Sequence, residues 1–156
     1  MAFADTIRTS FATMSDVADL LEDLLVVPDA AVETTITSTT SASYVVLSNM
    51  TLTVNVESGD MVLLFFTSGY SASATSIRTR FAFHEDTSAS SNGLIEIESD
   101  NSVETSGKIE HVTSSAIYTS PNTGSVTYDV RWRIDAGSGT IYSDNRYFYA
   151  LILRQS

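Results

Sequence analysis

Two periodicities divide the chain. Near the start, apolar residues recur every three or four positions: Phe3, Ile7, Phe11, Met14, Val17, Leu21 and Leu24. That spacing draws a stripe along one side of a helix. Asp5, Asp16, Asp19, Glu22 and Asp23 fall mostly off it. Ser15 followed by Asp16 has the chemistry of a helix cap, so one bent helix and two short ones both satisfy the pattern. Pro28 ends it, because a proline inside a helix removes a hydrogen bond and clashes with the preceding turn. Helices this short are marginal in water unless they pack on something. The stripe must therefore lie on the rest of the chain, on copies of itself, or on a partner surface. Ile7, Met14 and Leu21 stand seven apart, which suits a self-associating bundle; packing on its own domain satisfies the pattern as well.

From Glu33 onward the period is two. Thr34 to Thr40 reads as a polar edge strand, followed by Tyr44 to Leu47 and Thr51 to Glu57. Ser58-Gly59-Asp60 is a turn. Met61 to Thr67 is continuously apolar, which predicts a central strand covered on both sides. Thr75 to His84 alternates, with Ile77, Thr79, Phe81 and Phe83 inward and Arg78 and Arg80 outward. Leu94 to Glu98 and Lys108 to Thr119 follow, separated by polar loops. Ser120-Pro121-Asn122-Thr123-Gly124 is a strong turn signal. Val126, Tyr128, Val130, Trp132 and Ile134 then alternate with polar neighbours, and Gly137-Ser138-Gly139 breaks the run. Tyr147 to Arg154 closes the chain. About eight strands near ten-residue spacing predict an all-β fold, a two-sheet jelly-roll β-sandwich. Nothing after Pro28 has helical period between strands, which excludes a parallel α/β fold. The expected organisation is a short helical anchor or oligomerisation segment over residues 1–30 and a β-sandwich domain over 31–156.

The last strand breaks the expected alternation. Tyr147, Tyr149, Leu151 and Leu153 share one face, and Phe148, Ala150 and Ile152 share the other. A sandwich strand with a solvated outer face should be polar at alternate positions. Leaving Phe148 or Tyr149 in water would forgo ~1.5–3 kcal/mol each. We expect a subunit interface at Tyr147, Phe148, Tyr149 and Ile152. Coverage by the N-terminal helix is the competing expectation, and both hold if each serves one end of the strand.

Composition strengthens the β reading and removes several partners. Of 156 residues, 24 are Ser and 20 Thr, which favour strands, turns and edges over helix. The net charge of -11 argues against nucleic acid and anionic membranes, since both need Lys/Arg footprints. Seven Arg stand against a single Lys. An acidic, lysine-poor surface suits a protein adapted to high salt, and equally an ordinary acidic protein kept apart by its charge. There is no cysteine, so disulfides and thiolate metal sites are excluded. No apolar run approaches the ~20 residues of a membrane helix. No basic region followed by an apolar one opens the chain, so no signal peptide is expected.

Catalytic chemistry is not signalled. His84-Glu85-Asp86 is conceivable as a weak metal site, but no second His or Cys has ligand spacing. Glu96 and Glu98 share a strand face near Glu110, and a solvated acidic face explains them better than a carboxylate pair for hydrolysis. Asp100-Asn101 and Asp135 with Gly137 do not match a calcium loop. Asn49-Met50-Thr51 is a glycosylation sequon of the kind that arises by chance in a Ser/Thr-rich chain. Arg131 and Arg133 are expected to be ion-paired with neighbouring carboxylates. No serine elbow or phosphate-binding loop is present. We expect no enzyme and no cofactor.

The stretch Val126-Thr-Tyr-Asp-Val-Arg-Trp-Arg-Ile134, the break from Asp135 to Thr140, and Asn145-Arg146-Tyr147-Phe-Tyr-Ala-Leu-Ile-Leu153 together resemble the final strand pair of tumour-necrosis-factor-like jelly rolls. More narrowly, the chain looks like the short trimeric jelly-roll proteins of tailed-virus particles: head-decoration, head-fibre and tail-tip subunits. The similarity covers roughly residues 33 to 156. It implies a homotrimer packed around a threefold axis by its terminal strands. It also implies an N-terminal segment, here Phe3, Ile7, Phe11, Met14, Leu21 and Leu24, that docks onto the particle. The chain lacks the Gly-X-Y stalk of complement-type relatives. The expectation is a structural virion protein on the outer surface of a capsid or tail, with itself and the major capsid or another virion protein as partners. The alternative is a module that binds a host surface glycan or receptor through the loops Thr87 to Gly93 and Ser99 to Gly107. Small polar loops favour it, and the single, inward Trp132 does not.

Overall fold

A computed structural model describes residues 25–87, 90–97 and 107–154, with only the backbone course for 25–29, 86–87 and 90–97. Every described element is a strand: β1 (Leu25–Glu33), β2 (Thr37–Thr39), β3 (Val45–Val56), β4 (Met61–Ala72), β5 (Arg78–Thr87), β6 (Ser90–Ile97), β7 (Glu110–Thr119), β8 (Gly124–Ala136) and β9 (Ile141–Leu153). One sheet runs β1-β9-β4-β7, with β2 also pairing β9; the second runs β3-β8-β5-β6. All pairings are antiparallel. We call these the first and second sheets. From β2 onward the chain changes sheet at every connection except β5–β6. Winding each successive strand across to the opposite layer is how a jelly roll closes, and the fold is a jelly-roll β-sandwich.

The period-two pattern explains the core. Leu52, Val54 and Val56 of β3, Phe81 and Phe83 of β5, and Val126, Tyr128, Val130, Trp132 and Ile134 of β8 point inward and are buried. Val62, Leu64 and Phe66 of β4 meet them from the first sheet. Aromatic rings fill the core: Phe81 stacks on Trp132 at 6.2 Å within the second sheet, while Phe66 lies 5.5 Å from Phe81 and Phe83 stacks on Phe148 at 5.9 Å across the layers. The β8–β9 crossing turns on Gly137, whose φ is +84°. A Cβ there would sit 2.8 Å from the Ser76 carbonyl oxygen, so no side chain fits the corner.

Several boundaries differ from the periodicity: β4 runs on to Ala72, and the expected loop Thr87 to Gly93 is mostly strand, because β5 reaches Thr87 and β6 pairs with it from Ser90. Tyr44 to Leu47 and Thr51 to Glu57 are one strand, β3, interrupted where its register with β8 shifts between Val46 and Thr51. β9 starts at Ile141, six residues before the apolar run, because its polar first half still pairs with β2 and β4. β1 begins at Leu25 and pairs with β9, so strand pairing runs through the 30/31 boundary. Its register shifts between Val26 and Asp29, around Pro28, which has no N–H to give the ladder. The stripe residues Phe3, Ile7, Phe11, Met14, Val17, Leu21 and Leu24 lie outside the described residues.

Glu33 ties the end of β1 to the break in β3. Its carboxylate accepts the Thr35 N–H at 2.8 Å and the Asn49 Nδ2 at 2.6 Å. Asn49 reaches it from a left-handed backbone conformation, φ +61°. The Thr35 hydroxyl and N–H, then Asn49, hold the Glu33 carboxyl down at about 2. Because the folded value lies below the ordinary one near 4.5, the contribution to stability is present above that pH and lost as pH falls toward 2. A Glu33→Gln chain should show a flatter stability-versus-pH curve in that window, measured by urea unfolding. Phe148→Ala should cost roughly 3–5 kcal/mol in the same assay, the usual range for emptying a buried phenylalanine site.

Candidate assembly surface

The outer faces of the two sheets carry opposite chemistry. On the second sheet, β5 and β8 present a ladder of charges. The Asp135 carboxylate takes Arg133 at 3.1 Å, Arg80 at 3.2 Å and Arg78 at 3.5 Å. Asp129 grips Arg131 through two hydrogen bonds of 2.9 and 3.2 Å. Arg133 also lies over the Tyr44 ring, 4.8 Å from its centroid. Arg131 and Arg133 are thus ion-paired, as their alternation suggested, and Asp135 is occupied by guanidinium groups rather than open to calcium.

The His84-Glu85 pair separates, because neighbours on a strand face opposite ways. His84 points outward, its Nδ1 3.8 Å from an Asp129 oxygen. Glu85 points inward and accepts hydrogen bonds from the Tyr118 hydroxyl at 2.7 Å and Asn122 at 3.1 Å. Burial, then the Glu85 hydrogen bond and charge, push the Tyr118 hydroxyl up to about 12. Burial and Glu85 raise Tyr128 as well. The Tyr118 hydroxyl, donating to Glu85, ties β7 to β5 at one end of the sandwich. Among the described residues no three His, Asp or Glu side chains gather to hold a metal. Glu110 pairs with Lys108 at 2.9 Å. The Glu96 side chain, all of Glu98 and most of the Ser99 to Gly107 loop lie outside the described residues.

The outer face of the first sheet is apolar. Register sets Phe65 of β4 beside Tyr149 of β9, Leu63 beside Leu151, and Met61 beside Leu153. On the flanks, Ala30 and Val32 of β1 adjoin Tyr149 and Tyr147, and Ile117 of β7 adjoins Leu63. The Phe65 and Tyr149 rings are 6.3 Å apart. Among the described residues nothing fully covers this face: Phe65 is 38% exposed, Val32 55% and Ile117 69%. A lone exposed apolar residue is ordinary; here apolar residues of four strands lie side by side in one patch.

The four expected interface residues therefore divide. Tyr147 and Tyr149 lie on this outer face, half-buried. Phe148 and Ile152 are 0% and 2% exposed inside the sandwich, where the second sheet already covers them. A correction also applies to Met61–Thr67: β4 is central and its inner face is buried, but its outer face is open. Phe65, Ile117 and Val32 were not singled out from the sequence. For Phe65 the signal was present, since an unbroken apolar run says that both faces want cover without saying what supplies it.

No protein-family model matches the chain, and no curated protein matches it. Solved structures do. The chain is similar to Eiger TNF from S. frugiperda, with 13% identity over 85% of this chain and 94% of that one, and a TM-score of 0.53. It is also similar to the VP2 subviral particle of infectious bursal disease virus, with 10% identity, 81% of this chain, 32% of that one, and a TM-score of 0.54. The Gt strain of the same virus gives 9% identity, 81% and 33% coverage, and 0.52. The chain thus spans about a third of the length of the viral proteins. At such identities the likeness is one of fold: a jelly roll of the kind found in a TNF protein and a viral particle protein.

Proposed function

We propose that the chain is a structural virion protein: a homotrimeric jelly-roll subunit on the outer surface of a capsid or tail, attached through its N-terminal segment. One observation carries this reading, the uncovered apolar outer face of the first sheet. Burying such surface is worth roughly 25 cal/mol per Å², and an aromatic ring alone supplies about 150 Å² or more. Phe65 and Tyr149 at the centre of the patch therefore favour packing against sister copies. The fold adds support, since a jelly roll builds the subviral particle of infectious bursal disease virus. The net charge of -11 fits a surface component, because like charge keeps assembled particles from clumping. The apolar stripe of residues 1–24 is the natural candidate for the contact with the major capsid or another virion protein.

Native mass in solution tests the assembly. The intact chain should run as three copies, and Phe65→Asp or Tyr149→Asp should run as one with an unchanged β-sheet spectrum, because a buried unpaired charge costs several kcal/mol. A wild-type monomer, or trimers that tolerate both charges, would remove the reading. Cutting the chain before Leu25 should leave a folded sandwich, since β1 stays whole, and should abolish co-sedimentation with the virion. Undiminished co-sedimentation would place the attachment elsewhere.

A further inference from the structure

A sandwich has open edges, and natural sheets guard them with prolines, bulges, charges or short strands. Three of the four edge strands here are guarded. β1 carries Pro28 and a register shift against β9. β3 shifts against β8 after Val46, and Asn49 stands in the break at φ +61°. β6 shifts against β5 between Phe83 and His84. β7 has none of these devices. Its ten residues pair with β4 without a break, from Met61 opposite Thr119 to Tyr70 opposite Glu110. No described strand stands on its other side. From His111 to Thr119 it holds no proline, glycine, carboxylate, lysine or arginine. His111, Thr113, Ser115, Ile117 and Thr119 are all exposed, Ile117 by 69%. A regular antiparallel strand with one side unpaired offers the N–H and C=O of every second residue to a further strand.

We propose that β7 pairs antiparallel with β7 of a second copy of this chain, across a two-fold axis normal to the sheet. Charge selects the occupant. Two chains of net charge -11 repel, so copies meet best through a stretch that carries no carboxylate on either side. A basic partner, by contrast, finds no carboxylate between His111 and Thr119 to hold it. Geometry agrees with the charge. A two-fold contact uses the same surface twice, and an axis normal to the sheet keeps inner residues beside inner ones and outer beside outer. Ser115 is the midpoint of the uncharged run. With Ser115 on the axis, Thr113 of each copy lies beside Ile117 of the other, a β-branched pair of the kind that stabilises neighbouring strands. Glu110 then falls opposite Ser120, and no like charges are opposed. The added strands extend the sheet in its own plane. The apolar outer face stays open, so this contact is separate from the trimer and does not rest on it.

Salt provides the test. In dilute, low-salt solution repulsion keeps the edges apart; at about 1 M sodium chloride, where the screening length is ~3 Å, they pair. The native mass of the full chain should therefore double from low to high salt, and so should that of Phe65→Asp, whose added charge sits in the apolar face. Ser115→Glu and Ser115→Lys each set like charges on the axis and should weaken the pairing by about fivefold or more. An equimolar mixture of these two variants should regain it, because unlike charges then meet. In the wild-type chain, alternate β7 amides should exchange with solvent more slowly at high salt. No doubling, a doubling that Phe65→Asp loses, single Ser115 variants that pair as well as wild type, a mixture that stays unpaired, or β7 amides indifferent to salt would each overturn the proposal. The mass in low salt reads trimer formation separately, so either reading can fail without the other.

Discussion

A β-strand presents two faces, and a sandwich covers one of them. In β4 and β9 both faces are apolar, and the rest of the molecule is arranged around that excess. Their inner residues, from Val62 to Phe66 and from Phe148 to Ile152, close the core against the second sheet. Their outer residues, centred on Phe65 and Tyr149, are left with only β1 and β7 beside them in the same layer. No second layer of the subunit reaches over them among the described residues. The sandwich is thus closed inside and apolar on one outer face.

The other exterior is the opposite. Across the outer face of β5 and β8, guanidinium and carboxylate groups answer one another: three arginines around Asp135 and a two-point grip of Arg131 on Asp129. Partly exposed ion pairs contribute little stability individually. They do make that face unattractive to apolar surfaces. One sheet is therefore apolar on its outer face and the other charged. This asymmetry, more than any single residue, gives the molecule a direction. Where the apolar face ends, the bulge at Asn145 turns Asp144 outward over Gly69, and the same face becomes polar.

The strands were largely legible because their signal is local. Alternation in β8 alone predicts Trp132 inside and Arg131 and Arg133 outside, and the Gly137–Gly139 break marks where the chain changes sheet. Residues 25–27 were the opposite case. The three-and-four spacing ends where Pro28 forbids helix, yet β1 already pairs from Leu25, because a proline at an edge-strand irregularity costs little. In the last strand, the doubled apolar character of Tyr147 to Leu153 was visible, but which half meets the core was not. Phe148 and Ile152 proved internal, and Tyr147 and Tyr149 external, since one-dimensional alternation fixes that two faces exist and leaves their assignment open.

The sequence by itself determined the class of fold, the identity of the core strands, the absence of a thiolate chemistry and the need for cover beyond one layer. Each of these follows from residue type and period, which no partner strand can change. Only the tertiary structure decided which neighbours stand beside β9, and so gathered Val32, Phe65, Tyr149 and Ile117 from four separate strands into one patch. The turning of Asp144 toward an empty position at Gly69 belongs to the same category. Register across a sheet brings together residues dozens of positions apart, and a single inserted residue reverses every side chain beyond it; neither can be read from the pattern along one strand.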